Sequence, residues 1–139
     1  MNYAEEQILD IAMKCNETVK LWYIAYGNEW KDWDELSDKE KNNIIGGVKY
    51  LLENQGLPKS VLHDNWVESK IKDGWKVGLL RDTDNKIHEY LVPYEQLPSF
   101  PKMKIGLFYD VVKAQIEIIE QQKMHTELSE QNGSISNES

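Results

Sequence analysis

Apolar side chains recur every three or four residues along three stretches of the chain, and this spacing predicts amphipathic α-helices. The first stretch ends at Gly27, a residue that tolerates the left-handed backbone of a helix end. The second follows a capping box, in which Ser37 and Glu40 each satisfy the other's backbone amide. The predicted buried faces comprise Ile8, Ile11, Ala12, Cys15, Val19, Trp22, Tyr23 and Tyr26 in the first helix, Ile44, Ile45, Val48, Leu51 and Leu52 in the second, and Ile105, Phe108, Val111, Val112, Ile116 and Ile119 in the last.

A further helix and two short strands are predicted between the second and the last helix. Ser60 is expected to cap this helix and Gly74 to end it. The runs Trp75–Arg81 and Lys86–Val92 suit β-structure and flank a four-residue polar turn, which is typical of a hairpin. Because an isolated hairpin is marginal in water, it must pack against the helices. The sequence therefore predicts a single, mostly helical α+β domain with about four helices and a small β-hairpin.

The C-terminal end of the chain differs in character from the rest. After Gln121 the apolar period is lost, and the last residues are mostly acidic, amide and serine side chains. Such a composition cannot bury enough apolar surface to offset the entropy of ordering. We therefore expect a domain over residues 1–121 and a flexible acidic and polar tail over residues 122–139.

Charge and composition exclude several classes of protein. With 16 basic and 24 acidic residues the net charge is −8, which argues against binding to a nucleic acid polymer. The chain shows no signal-peptide pattern and no apolar run approaching the roughly 20 residues that span a bilayer, so a cytoplasmic protein without a membrane partner is expected. Cys15 is the single cysteine, and no cysteine or histidine spacing suggests a metal site.

Catalytic motifs are not evident either. Ser60 and His63 are the only neighbouring serine and histidine, and Ser60 is explained as a helix cap. No nucleophile elbow, phosphate-binding loop or dinucleotide fingerprint occurs. The expectation is a protein that is not an enzyme, with no catalytic residues and no cofactor.

The most informative stretch runs from residue 63 to residue 78, where aromatic and basic side chains alternate around a predicted helix-to-strand junction. His63, Trp66 and Lys70 share one side of the helix by their spacing. Trp66 and Trp75 both face the junction. We expect at least one of them to pack in the core, and the other can offer a flat face on which a nucleobase stacks.

Further candidates lie on the two predicted strands and beyond them. Strand alternation places Arg81 on the same face as Trp75, where it could bind a phosphate; it could equally be a surface charge paired with Asp82 or Asp84. A second aromatic group, formed by Trp22, Trp30 and Trp33, is the alternative location for a site. The predicted ligand-binding residues are His63, Trp66, Lys70, Trp75, Arg81, His88 and Tyr94.

Two segments resemble the signature of the ryanodine-receptor repeat, the RyR domain. Residues 63–78 follow the pattern His-x-x-Trp-x-x-x-Lys-x-x-x-Gly-Trp-x-x-Gly, and residues 88–98 follow His-Pro-x-Leu-Val-Pro-Tyr-x-x-Leu-Pro. The rest of the chain from Ile8 to Gln115 aligns with the family without a large gap. This chain departs from the pattern at Glu89, where proline is usual, and after Lys102, where the usual aspartate is missing.

The resemblance implies a helical α+β module that binds rather than catalyses. It favours a small nucleotide-like ligand: a cyclic nucleotide, a cyclic dinucleotide or an ADP-ribose derivative. A single copy of the module suits a phage sponge that sequesters an immune second messenger in the host cytoplasm. The alternative is a protein–protein interaction or structural module without a small ligand, and a homo-oligomer is compatible with either.

Overall fold

The computed structural model describes residues 3–138, with the side chains of residues 3–131. Four α-helices form most of this part of the chain, and two short strands lie between the third and the fourth, so the predicted mostly helical α+β domain is confirmed. Two single turns of 3₁₀ helix, Trp33–Glu35 and Tyr94–Gln96, precede the second and the last helix. The main elements are α1 (Glu5–Ala25), α2 (Asp38–Glu53), α3 (Lys59–Lys72), β1 (Lys76–Val77), β2 (Ile87–His88) and α4 (Ser99–Glu138).

The core lies where α1, α2 and α4 meet. Its central side chains come from the predicted apolar faces, and Ile11, Val48 and Val112 are fully buried. Gly47 lets α2 approach α4 closely, because a Cβ atom at this position would lie 3.0 Å from the Phe108 ring. The buried cluster consists of Ile11, Ala12, Cys15, Val48, Leu51, Leu52 and Val112.

Most of the predicted helix ends are confirmed. Gly27 and Gly74 follow the ends of α1 and α3 with φ angles of +78° and +89°, values that favour glycine. The side chain of Ser37 accepts a hydrogen bond from the amide of Glu40, as the capping box requires. The predicted cap at Ser60 is wrong: α3 already begins at Lys59, after Pro58, so Ser60 lies inside the first turn.

The predicted β-hairpin is also wrong, because β1 and β2 pair in parallel. Lys76 lies opposite Ile87, and Val77 opposite His88. The chain makes an additional turn at Gly78, where a Cβ atom would overlap the Ile87 side chain. It then turns again, so that Asp82 forms an antiparallel bridge with Ile87. These two turns replace the single turn of a hairpin, and β2 consequently runs in the same direction as β1.

The last helix extends well beyond the predicted domain end at residue 121. α4 continues without interruption through the segment assigned to the tail, although every side chain from Glu120 to Gln131 is exposed. The tail's side chains after residue 131 lie outside the described residues, and its flexibility stays a prediction. Within the part of the chain that is described, no helix combines the length and apolarity needed to cross a membrane.

We predict that deleting Glu127 to Ser139 leaves the melting temperature nearly unchanged. The described side chains of this segment are exposed and bury no apolar surface against the domain, so their removal forfeits little free energy of unfolding. Differential scanning calorimetry of the full and shortened chains tests this. A loss of several degrees would show that the segment docks onto the domain or onto a second copy.

Candidate functional site

One side of α3 forms the first wall of the candidate site. His63 is buried, and its Nε2 lies 2.8 Å from the carbonyl oxygen of Val92. Because a carbonyl oxygen only accepts, Nε2 of His63 carries the hydrogen. The Trp66 ring follows one turn later, with its centroid 5.5 Å from that of His63. These contacts, and the place of Lys70 one turn after Trp66 in α3, confirm the predicted shared face of the three residues.

Trp75 forms the buried base of the corner that His63, Trp66, Lys70 and His88 line. It is buried, and the ammonium group of Lys70 lies 5.1 Å from the centre of its ring. The backbone amide of Trp75 donates to the carbonyl of Lys70, which fixes the ring directly after Gly74. The indole Nε1 of Trp75 is buried and has no hydrogen-bond partner among the described residues. Of the two tryptophans at the junction, Trp75 is therefore the core residue and half-buried Trp66 is the one that can offer a face.

His88 occupies the centre of the corner. Its ring lies 5.0 Å from that of Trp66 and 6.3 Å from that of Trp75. Its Nδ1 accepts a hydrogen bond from the Tyr90 amide, which leaves Nε2–H as the donor of the neutral ring. Burial lowers the pKa of His88, and the charges of Arg81, Lys70 and Lys104 lower it further, against the opposing effect of Glu89.

Arg81 lies in the loop after β1 and not on the strand, where it was predicted. It follows the turn at Gly78 instead of continuing β1, so strand alternation does not align it with Trp75. Its guanidinium binds both carboxylate oxygens of Glu89, at 2.8 Å and 3.2 Å, and lies 5.7 Å from the centre of the Tyr90 ring. The predicted alternative partners, Asp82 and Asp84, are not the ones used.

Tyr94 lies at the edge of the site. Its ring centroid is 6.4 Å from that of His63, and the ammonium of Lys102 lies 5.3 Å from its centre. Its backbone amide donates to Asp64. The structure thus gathers His63, Trp66, Lys70, Trp75 and His88 around one corner, with Tyr94 at one edge and Arg81 at the other.

Lys104 was not among the residues predicted from the sequence. This side chain is partly buried, and its ammonium lies 4.3 Å from the centre of the Trp30 ring and 5.6 Å from that of Tyr23. No carboxylate among the described residues lies within ion-pair distance of it. Its spacing could have identified it, because Lys104 is four residues before Phe108 and so places a charge on an apolar helix face.

The second aromatic group divides into separate environments. Trp30 donates from Nε1 to buried Asn16 and so is held beside Lys104, at the edge of the corner. Trp22 stacks on Phe100 with ring centroids 4.3 Å apart. Trp33 packs against the helical core beneath Lys41. Only Trp30 therefore extends the candidate site.

Other parts of the molecule offer less specific chemistry. A cleft of about 320 Å³ lies between the end of α2 and α4, lined partly by Leu51, Leu57 and Val112. Its charged side chains, Lys113 and Glu117, carry opposite signs, and Tyr109 is the single aromatic residue in its lining, so it lacks the excess positive charge and the several aromatic rings of the corner. Among the described residues, no group of three or more histidine, cysteine and acidic side chains is arranged to hold a metal ion.

We predict that Trp75→Ala lowers the free energy of unfolding by about 3–5 kcal/mol, the usual cost of truncating a buried tryptophan. The ring is buried, whereas Trp66 is only half-buried, so Trp66→Ala serves as the matched control with a smaller loss. Urea denaturation of both variants measures the difference. Equal losses, or a loss below about 1 kcal/mol for Trp75→Ala, would contradict the assignment of Trp75 to the core.

We also predict that stability depends on pH through Lys104. Burial, and then the charge of Arg81, lower the pKa of Lys104 from 10.5 to about 8. Between these values the unfolded chain binds more protons than the folded one, so stability rises with pH across this window and the penalty is complete below it. Relative to Lys104→Met, the parent should therefore gain stability between pH 7 and roughly pH 9.5.

Urea denaturation of the parent and the Lys104→Met variant at both pH values provides the test. The groups that face Lys104 are Tyr23 from α1 and Arg81 from the loop after β1, with His88 and Glu89 beyond Arg81. They are present in both chains, so their own titrations largely cancel in the difference. Parallel stability curves would show that Lys104 keeps an ordinary pKa.

The part of the chain that forms most of this corner matches a known protein family. Residues 59–119 match the family model of the RyR domain, a segment that includes α3, both strands and the first half of α4. All seven predicted site residues lie inside it, whereas Tyr23 and Trp30 lie outside. No curated protein matches the chain. The segment from residue 59 to residue 119, which is less than half of the chain, is therefore similar to the RyR domain family.

Proposed function

We propose that this protein binds a nucleotide-derived signal at the corner between α3, the two strands and α4, and that it releases the ligand unchanged. The ligand class is a cyclic nucleotide, a cyclic dinucleotide or an ADP-ribose derivative. One observation carries the proposal: cations lie over aromatic rings around His88, with Lys70 over Trp75 and Arg81 over Tyr90, the two rings that flank this histidine.

The groups at this corner match the two halves of a nucleotide. The half-buried Trp66 ring suits stacking with a base, which is typically worth about 1–3 kcal/mol. The cations suit phosphate oxygens, because charge-assisted hydrogen bonds are the strongest that side chains make. One further donor remains for a polar ligand atom, the Nε2–H of His88.

The physiological role that follows from such binding is sequestration. A protein that binds a signal tightly and leaves it intact lowers the free concentration of that signal by mass action. We extend the proposal to an immune second messenger in the cytoplasm of a bacterial host, with the protein acting as a phage sponge. No catalytic step is assigned to any residue of the corner.

A second function, protein–protein interaction, is favoured by a different surface. Leu79 and Leu80 are adjacent in the loop after β1 and are 97% and 83% exposed. Val77, at the end of β1, is 58% exposed. Apolar side chains that protrude in this way can anchor an interface with another protein or with a second copy.

We predict that the parent protein retains at least one member of a panel of cyclic mononucleotides, cyclic dinucleotides and ADP-ribose derivatives, and releases it intact on heat denaturation. Lys70→Ala and Arg81→Ala should each weaken binding by about 1.5–3 kcal/mol, because each removes a charged hydrogen-bond donor. Their melting temperatures should hardly change, since exposed pairs such as Arg81–Glu89 contribute little stability. Chromatography of the supernatant and calorimetric titration measure the two effects.

Lys41→Ala is the matched control, because Lys41 also lies over a tryptophan ring, that of Trp33, outside the corner. This variant should bind like the parent. A chemically altered ligand would identify an enzyme, and no retention of any panel member would favour the interaction module. Equal binding by the parent, Lys70→Ala and Arg81→Ala would place the nucleotide elsewhere.

A further inference from the structure

Lys104 is a cation for which no described residue provides a counter-ion. Its ammonium is partly buried against the faces of Trp30 and Tyr23, and no described carboxylate pairs with it. Aromatic faces stabilise a cation by only about 0.5–2 kcal/mol, less than the desolvation of a buried ammonium costs. A hydrophobic side chain at this position would therefore serve the fold at least as well. The charge is better explained by something that it binds.

The arrangement around Lys104 is held rigidly. Trp30 donates to Asn16, which is itself buried and donates to the carbonyl of Lys31. The Tyr23 ring lies 4.5 Å from that of Trp30, so the two rings form one aromatic wall. These contacts fix the wall from α1 and the connection after it, while Lys104 approaches from α4. The aromatic wall and the cation thus come from opposite sides of the start of the RyR match at residue 59.

Arg81 supplies a second cation to this part of the site, and its geometry shows what kind of group fits. Its guanidinium lies 5.7 Å from the centre of the Tyr90 ring, which packs against His88. Its charge also acts on Lys104 and on Tyr23, the ring over which Lys104 lies. Its guanidinium already holds an oxyanion in bidentate fashion, the carboxylate of Glu89. Guanidinium groups bind carboxylate and phosphate oxygens with the same planar geometry. Glu89 therefore stands where one face of a phosphoryl group would bind.

We propose that Lys104 and Arg81 form the phosphate-binding end of the nucleotide site, and that a phosphoryl group of the ligand replaces Glu89 as the partner of Arg81. This inference rests on the proposed function for the identity of the ligand. The base lies toward Trp66 and His88, and the phosphate lies toward the wall of Trp30 and Tyr23. Lys104 gains the counter-ion that the unliganded fold does not provide.

Inorganic pyrophosphate is the probe that tests the phosphate end independently of any nucleotide. Calorimetric titration should show binding to the parent, with affinity reduced roughly tenfold or more in Lys104→Met, the loss expected for one charge-assisted hydrogen bond. Lys41→Met should bind pyrophosphate like the parent. The melting temperature of Lys104→Met should be equal to or above that of the parent, because the uncompensated charge is gone.

Glu89→Gln tests the replacement of the internal carboxylate. Loss of the negative charge frees Arg81, so pyrophosphate affinity should increase several-fold relative to the parent. In addition, NMR titration of the Lys104 side chain should show that its pKa rises when pyrophosphate is added. Citrate, a carboxylate anion, should bind more weakly than pyrophosphate. An unchanged affinity in Glu89→Gln would show that Glu89 does not compete with the ligand.

The proposal is overturned if the parent does not bind millimolar pyrophosphate, if Lys104→Met binds it like the parent, or if Lys41→Met loses as much. A melting temperature several degrees lower for Lys104→Met would assign Lys104 a structural role instead. Failure of the proposed function has a different signature: pyrophosphate binds through Lys104, but no nucleotide of the panel is retained. In that case the anion site stands and its ligand is not a nucleotide.

Discussion

The hydrogen bond between the buried His63 ring and the carbonyl of Val92 is the interaction on which the corner depends. The two strands share only two residue pairs, too few to hold a sheet in place by themselves. His63 ties α3 to the segment after β2, and so keeps His88 against Trp66 and Trp75. Losing this bond would leave the partly buried carbonyl of Val92 without its partner and would release the second wall of the site. The residue predicted to touch ligand thus acts first on the architecture of the site.

The charges gathered around His88 carry an electrostatic cost for the stability of the fold. Burial, and after it the charges of Arg81, Lys70 and Lys104, lower the pKa of His88, and the carboxylate of Glu89 opposes them. Lys104 carries the largest part of the cost, because it loses water and gains no acidic partner among the described residues. Elsewhere on the surface lysines pair with acids in the usual way, as Lys20 does with Asp32 and Lys59 with Asp110. Positive charge concentrated at one aromatic corner of an acidic protein is the arrangement expected where an anionic ligand completes the balance.

The sequence predicted the helices and most of their buried faces, since the apolar period and the glycine and capping signals of Gly27, Ser37 and Gly74 are local properties. Tyr26, predicted on the buried face of α1, is instead exposed after the end of the helix. Prediction from the sequence failed where the outcome depended on tertiary contacts. The parallel pairing of the strands brings Gly78 close to Ile87, a contact that alternation of side chains does not reveal. The same extra turn redirected Arg81 toward Glu89. Lys104 was missed because its neighbours, Tyr23 and Trp30, are distant in sequence, and only the folded chain brings α1 and α4 together there.

The five tryptophans provide the most direct test of the central claim, that one site spans α3, the strands and α4 and reaches Trp30. Their indole N–H signals can be followed by ¹⁵N–¹H NMR while each nucleotide of the panel is added. Binding is predicted to shift the signals of Trp66, Trp75 and Trp30 together, with a single affinity. The signal of Trp33, which lies beneath Lys41, should stay unchanged. Shifts confined to Trp22 and Trp33, or shifts of Trp30 with a separate affinity from Trp66 and Trp75, would contradict the claim.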